Sequence, residues 1–148
     1  MYAPMPESSV NYVDFHSVSI AVRDYECDIE GIVNNAVYLN YLEHARHEFL
    51  KSAGTSFLEL HQQGYDPVVV RIEIDYLNVL SSGDKITVYT NMRMKGRLRF
   101  IFGQHIVGTA DSGEISRARV VGTFLRDGKP TAPPASIAHL LEKAGNEP

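Results

Sequence analysis

Asp28 heads the run DIEGIVNNAVYLNYLEHARHEF (28–49), in which an acid precedes a glycine-bearing turn and then a helical stretch whose first amides point back toward that acid. A carboxylate so placed can attack a carbonyl carbon as a nucleophile, or deprotonate a water that attacks it. Free N–H groups at a helix start can hold the oxyanion that develops on the attacked carbonyl. The pattern fits a carbonyl-attacking site. It also fits an ordinary turn or capping acid, a role Asp commonly fills.

Other reactive residue types carry less. Cys27 adjoins Asp28 with no histidine motif beside it and reads as a small, partly buried thiol rather than a nucleophile. Glu43 lies three residues before Arg46 and four before His47 on the helical stretch. An i,i+3 or i,i+4 ion pair is the plain reading of that spacing, and a second functional carboxylate the sharper one. His44, His47 and Glu48 share that helix, but no HExxH or other metal signature is present, so no metal is expected. Lys95, Arg97 and Arg99 flank a turn. They fit a charged edge that discourages strand pairing, or contacts to the phosphates of a ligand.

The elements that must position these groups follow from periodicity. Val18, Ile20 and Val22 alternate with polar or small residues over 17–23, as in a half-buried strand. Over 36–53 the period changes: Tyr38, Leu42, Ala45, Phe49 and Ala53 form one helical stripe, and Gly54 supplies a stop. Leu39, Tyr41 and Leu50 widen that stripe, which predicts a helix packed on most sides and wrapped by a curved sheet. A short helix over 56–63 is followed by alternating runs at 70–76, 86–93, 98–106 and 116–124, and a terminal helix is expected over 135–144. Turn signals at 82–84, 95–97 and 111–113 predict hairpins and hence an antiparallel meander of the later strands. The order strand, long helix, four strands is that of an α+β layer. Val69 and Tyr89 are apolar on one sheet face and Val70 and Val88 on the other, so a second subunit is expected to cover part of the sheet.

Composition sets outer bounds. The 148 residues include 44% hydrophobic and 22% charged, ordinary globular usage for a single domain. Residues 1–12, with two prolines and no periodicity, read as a flexible N-terminal segment, with order beginning near Val13. A formal charge of −4 argues against broad binding of nucleic acid or anionic membranes. One cysteine excludes an intrachain disulfide and suits a reducing cytoplasm. No apolar run approaches the ~18 residues of a membrane span, and residues 1–9 lack a secretory pattern, so a cytoplasmic protein is expected.

Within 28–50 the residues Asp28, Gly31, Val33, Tyr38, Leu39, Tyr41, Glu43, Ala45, Arg46, Phe49 and Leu50, preceded by Arg23-Asp24-Tyr25, form a pattern that resembles the hotdog-fold thioesterases of the 4-hydroxybenzoyl-CoA thioesterase type, including the YbgC-like acyl-CoA thioesterases. The resemblance implies a hotdog fold, a five-stranded antiparallel sheet wrapped around one long central helix. It implies a homodimer, or a homotetramer built as a dimer of dimers, with sites at the subunit interface. The implied activity is hydrolysis of an acyl-CoA or acyl-carrier-protein thioester, with coenzyme A part of the substrate and no separate cofactor. The family's catalytic acid falls on Asp28 and its carbonyl-polarising backbone N–H on Asn35. Gly31, Asn34, Tyr38 and Glu43 are assigned to the substrate, and Lys95, Arg97 and Arg99 to the CoA moiety. A loop histidine of related enzymes is Ile32 here, so Asp28 is expected to work with backbone amides and water. The rival readings are a hotdog dehydratase or hydratase, and a non-catalytic acyl-CoA-binding protein.

Overall fold

The computed structural model describes residues 10–110, 113–145 and 147. Strand β1 (His16–Ala21) leads through a single 3-10 turn (Asp24–Glu26) and a loop into α1 (Asn35–Ser52), followed by α2 (Phe57–Gln62). Then come β2 (Asp66–Tyr76), β3 (Lys85–Lys95), β4 (Arg99–Gly108), β5 (Glu114–Arg126), β6 (Lys129–Thr131) and α3 (Ala135–Ala144).

All strand pairs are antiparallel, in the order β1-β3-β4-β5-β2, with β6 added to β5. The sheet thus has a sixth, three-residue strand beyond the expected five. It continues past the end of β4 on the same side of β5, where Asp127 and Gly128 take positive φ to close the turn.

One expected pairing is wrong. The turn signal at 82–84 does not join β2 to β3 as a hairpin; β2 lies at the far edge, paired with β5 from Asp66↔Leu125 to Tyr76↔Ser116. Residues 77–84 cross between the two sheet edges, and the turn docks on the end of β1, with Gly83 N–H donating to Val22 O (2.9 Å) and Val22 N–H to Asp84 O (2.8 Å). The turn at 95–97 is a true hairpin (Lys95↔Arg99). In the remaining turn signal, Asp111 and Ser112 lie outside the described residues.

Alternation decides the faces. Ile86, Val88, Thr90 and Met92 are buried under α1 from β3, joined by Phe100, Phe102 and Ile106 from β4. From α1, Tyr38, Tyr41, Leu42, Ala45, Arg46 and Leu50 are buried. The helix rests on β1 and β3 and is not enclosed: Leu39, Asn40, Glu43, His44 and His47 stay exposed, because the sheet curls past one side of it only. Residues 1–9 lie outside the described residues, but Tyr12 stacks on Tyr89 (centroids 4.1 Å, interplanar angle 9°), so packing begins before Val13.

A buried polar network fastens α1 to the sheet. The Arg46 guanidinium donates to Gln104 Oε1 (3.0 Å), and Gln104 Nε2 donates to Leu42 O and to Thr90 Oγ1 (3.0 Å each). Burial lowers the Arg46 pKa below its usual value, opposed by the charge of Glu43.

Candidate active site

The loop ahead of α1 is a miniature hairpin. Cys27 and Val33 form an antiparallel bridge, Asp28 N–H donates to Ile32 O (2.8 Å), and Gly31 N–H donates to Asp28 O (3.0 Å). Gly31 closes the reversal at φ +80, a region costing other residues about 1–2 kcal/mol. Asp28 is exposed at the tip, and its Oδ1 accepts the Glu30 N–H (2.8 Å), which orients the carboxylate.

Two neighbours hold this hairpin. The crossover supplies one, through Val33 N–H to Leu80 O (2.8 Å) and a bridge between Ile32 and Ser81. Glu26 supplies the other: its carbonyl accepts Asn34 N–H (3.1 Å) while its buried carboxylate accepts from Arg23 Nε (3.1 Å), Arg23 NH2 (3.0 Å), Arg23 N–H (2.8 Å) and the Tyr41 hydroxyl (3.0 Å). Burial alone would raise the Glu26 carboxyl; the Arg23 and Tyr41 hydrogen bonds outweigh it and hold the pKa below the ordinary value. Burial, reinforced by Glu26, pushes the Tyr41 hydroxyl up.

Helix α1 then begins with one donor left over. Asn34 is the N-cap, its side chain accepting the Ala36 N–H (2.9 Å), and its carbonyl takes Val37 N–H (2.9 Å). The Asn35 N–H has no acceptor among the described residues. Its carbonyl is fixed by the Tyr76 hydroxyl (2.9 Å), at the end of β2. A free N–H at a positive helix end, following a turn that displays a carboxylate, has the parts for acyl transfer: an attacking or proton-accepting group and an oxyanion donor.

The residues assigned from sequence divide into three places. Asp28, Gly31, Asn34 and Asn35 share the hairpin and helix start. Tyr38 is buried in the first turns of α1, its ring edge-on to Tyr76 at 5.1 Å. Glu43 lies eight residues further along α1 than Asn35, about 12 Å by helix rise, and pairs with His47 (3.8 Å), not with Arg46. It borders a groove of about 440 Å³ that also touches Arg46, Phe57, His61 and Val69. Lys95, Arg97 and Arg99 are exposed at the β3–β4 hairpin, about 33 Å along β3 from its start, so one chain does not bring them to Asp28. Sequence reasoning missed Glu26, Leu80 and Tyr76 as supports. Only the i,i+3 spacing of Arg23 and Glu26 was a usable signal.

Residues 22–141 match the model of the thioesterase-like superfamily. The chain belongs to that superfamily. Among the relatives of this superfamily member is the chloroplastic acyl-acyl carrier protein thioesterase ATL3 of Arabidopsis thaliana, 36% identical over 125 residues, an overlap of 84% of this chain and 66% of the plant protein. The match thus spans just under two thirds of that relative's length. A hypothetical protein from Aquifex aeolicus superposes with TM-score 0.79 at 25% identity, covering 85% of this chain and 98% of the other. A 1,4-dihydroxy-2-naphthoyl-CoA thioesterase from Synechocystis gives TM-score 0.81 at 18% identity over 86% and 95% of the two chains, a likeness of fold. The thioesterase-like chain therefore has the hotdog fold expected from its motif.

Proposed function

We propose that this chain hydrolyses acyl thioesters carried by coenzyme A or by an acyl-carrier protein, releasing the free acid and the thiol. The reading rests above all on one juxtaposition: an exposed carboxylate on a pinned hairpin tip beside a helix start whose Asn35 N–H is unused. The thioester carbonyl oxygen accepts that N–H, and charge gathering on it in the transition state strengthens the bond. Asp28 then either attacks the carbonyl carbon, expelling the thiolate and leaving a mixed anhydride that water opens, or takes a proton from the attacking water. The route calls on no metal and no cofactor beyond the CoA of the substrate.

The carrier-protein option draws on the name of the plant relative, and the CoA option on solved thioesterase structures such as one from Thermus thermophilus described with coenzyme A and Zn, 27% identical to this chain. Gly31 and Asn34 shape the mouth, Tyr38 supports it through the Tyr76 ring, and Glu43 faces the more distant acyl group. Lys95, Arg97 and Arg99 meet the CoA phosphates from a second subunit. A homodimer or dimer of dimers is the assembly: Val69, Val70, Ile72 and Tyr76 of the edge strand β2, with Leu77, Val79, Tyr25 and Ile29 around the loop, are exposed apolar surface that a partner would cover. No helix among the described residues is long and apolar enough to cross a membrane. A cytoplasmic setting is part of the proposal, resting on the single cysteine.

The test compares wild type with Asp28→Asn on a panel of acyl-CoA and acyl-carrier-protein thioesters, reading thiol release. A fall of about 10²–10⁴ in kcat is expected for the loss of the acid. Undiminished turnover in a folded variant overturns the site. Saturable binding without thiol release, or hydration of an enoyl-CoA, overturns the activity.

A further inference from the structure

The sheet face turned away from α1 carries a row of charge that hydrolysis does not use. Asn91, Gly103, Arg119 and Glu73 are cross-strand neighbours on β3, β4, β5 and β2, and Arg93 sits two residues along β3 from Asn91. Gly103 leaves room that the Asn91 side chain fills, its Oδ1 accepting the Gly103 N–H (3.2 Å); a Cβ there would meet that oxygen at 2.6 Å.

The two arginines are bridged by the chain's own anion. After α3 the backbone turns at Gly145 (φ 72), and Glu147 N–H donates to Met94 O (2.8 Å) on the β3 edge that β1 leaves unpaired beyond Thr90. The Glu147 carboxylate then receives Arg93 through Nε (3.0 Å) and NH2 (2.8 Å) to one oxygen, and Arg119 through Nε (3.0 Å) and NH2 to the other. These hydrogen bonds, Arg119 foremost, hold the Glu147 carboxyl below its usual pKa against a smaller opposing push from burial. Two guanidinium forks on one carboxylate leave an excess positive charge.

We infer that Arg93 and Arg119 form an anion site that Glu147 occupies in cis and that a phosphate group occupies when Glu147 is withdrawn. Three observations carry this. Arg93 has no other acidic partner among the described residues, and Arg119 has only Glu73 at 4.0 Å, itself engaged by Arg71 at 2.9 Å. A depression of about 230 Å³ is bordered by Arg93, Arg117, Arg119 and Asn91, with Glu73 and Asp75 also in its wall. Guanidinium forks match the tetrahedral oxygens of a phosphate, which offers more acceptors and more charge than a carboxylate. Withdrawal breaks the two forks and the one backbone hydrogen bond of Glu147, and a phosphate re-forms the forks with its own oxygens. The site does not depend on the chemistry at Asp28.

Titration calorimetry with inorganic phosphate, against chloride at matched ionic strength, tests it on the whole chain. Glu147→Gln removes the competing charge without touching the core, and it is expected to bind phosphate about 10-fold more tightly than wild type, as for a site freed of an internal occupant. The gain should vanish in Glu147→Gln/Arg93→Gln and in Glu147→Gln/Arg119→Gln. Equal binding by wild type and Glu147→Gln, or a gain that survives both arginine changes, overturns the site. Circular dichroism checks each double variant, and Glu147→Asp, which keeps the charge, should track wild type even where a double variant fails to fold. Coenzyme A and its 3′-dephospho form distinguish the source of the phosphate. A preference for the former that appears only in Glu147→Gln assigns it to the nucleotide, while equal affinities alongside phosphate binding assign it to the free ion.

Discussion

At the scale of single residues, the functional claim is about groups that hold other groups still. Asn35 contributes its backbone, so Asn35→Ala should change kcat/KM by no more than about twofold, as at a surface position without special contacts. Tyr76→Phe is different: it keeps the ring against Tyr38 and removes only the hydroxyl on the Asn35 carbonyl. One neutral hydrogen bond of about 1 kcal/mol corresponds to roughly a fivefold loss in kcat, with a fall of about 2–4 °C in melting temperature. Glu26 sets a pH limit. Its pKa is lower folded than unfolded, so its contribution is fully present above the unfolded value of about 4.3 and disappears as pH falls through the folded one. Glu26→Gln should therefore flatten the acid limb of melting temperature against pH. Asp28 and Asn34 were legible in the sequence because turn and cap chemistry is local. Glu26 was not, because its hydroxyl partner Tyr41 is 15 residues away and on another element.

At the scale of elements, periodicity read well and pairing did not. Alternation marked β3, β4 and β5, since a strand's two faces are written in its own residues. The turn at 82–84 announced a chain reversal, which is equally true of a hairpin and of a crossover that ends against β1. Gly122 shows what strand spacing alone conceals: a Cβ there would meet the Phe100 ring at 2.2 Å and Val68 O at 2.7 Å. Gly122→Ala should destabilise the fold by about 1–3 kcal/mol through forced displacement of that ring, read from denaturant unfolding. The Arg46–Gln104–Thr90 network was illegible for a similar reason. A helix arginine on a polar-looking position becomes a core residue only when Gln104 from β4 comes under it.

At the scale of the whole molecule, the hotdog architecture was legible because its motif spans the loop and helix that the sheet must accommodate. A second subunit over part of the sheet was expected only from apolar residues on both of its faces, since one chain's periodicity marks an apolar surface without marking what meets it. Val70 is 49% exposed on β2 at the irregularity between Val69 and Arg71, so a lysine there should be tolerated by the monomer fold while opposing edge-to-edge association. Light scattering is expected to find an oligomer for wild type and a smaller species for Val70→Lys; a wild-type monomer overturns the assembly. Tyr76 has one last implication. It reaches Asn35 only because β2 sits on β5 in the register Tyr76↔Ser116, and a slip of one residue would turn its ring to the opposite face. Such a molecule would keep its sheet, its helix and much of its stability while losing the clamp on the helix start. Refolded material should therefore be judged by turnover per mole of folded chain: a native-like spectrum with a low value would be the signature of a sheet assembled one notch out of place.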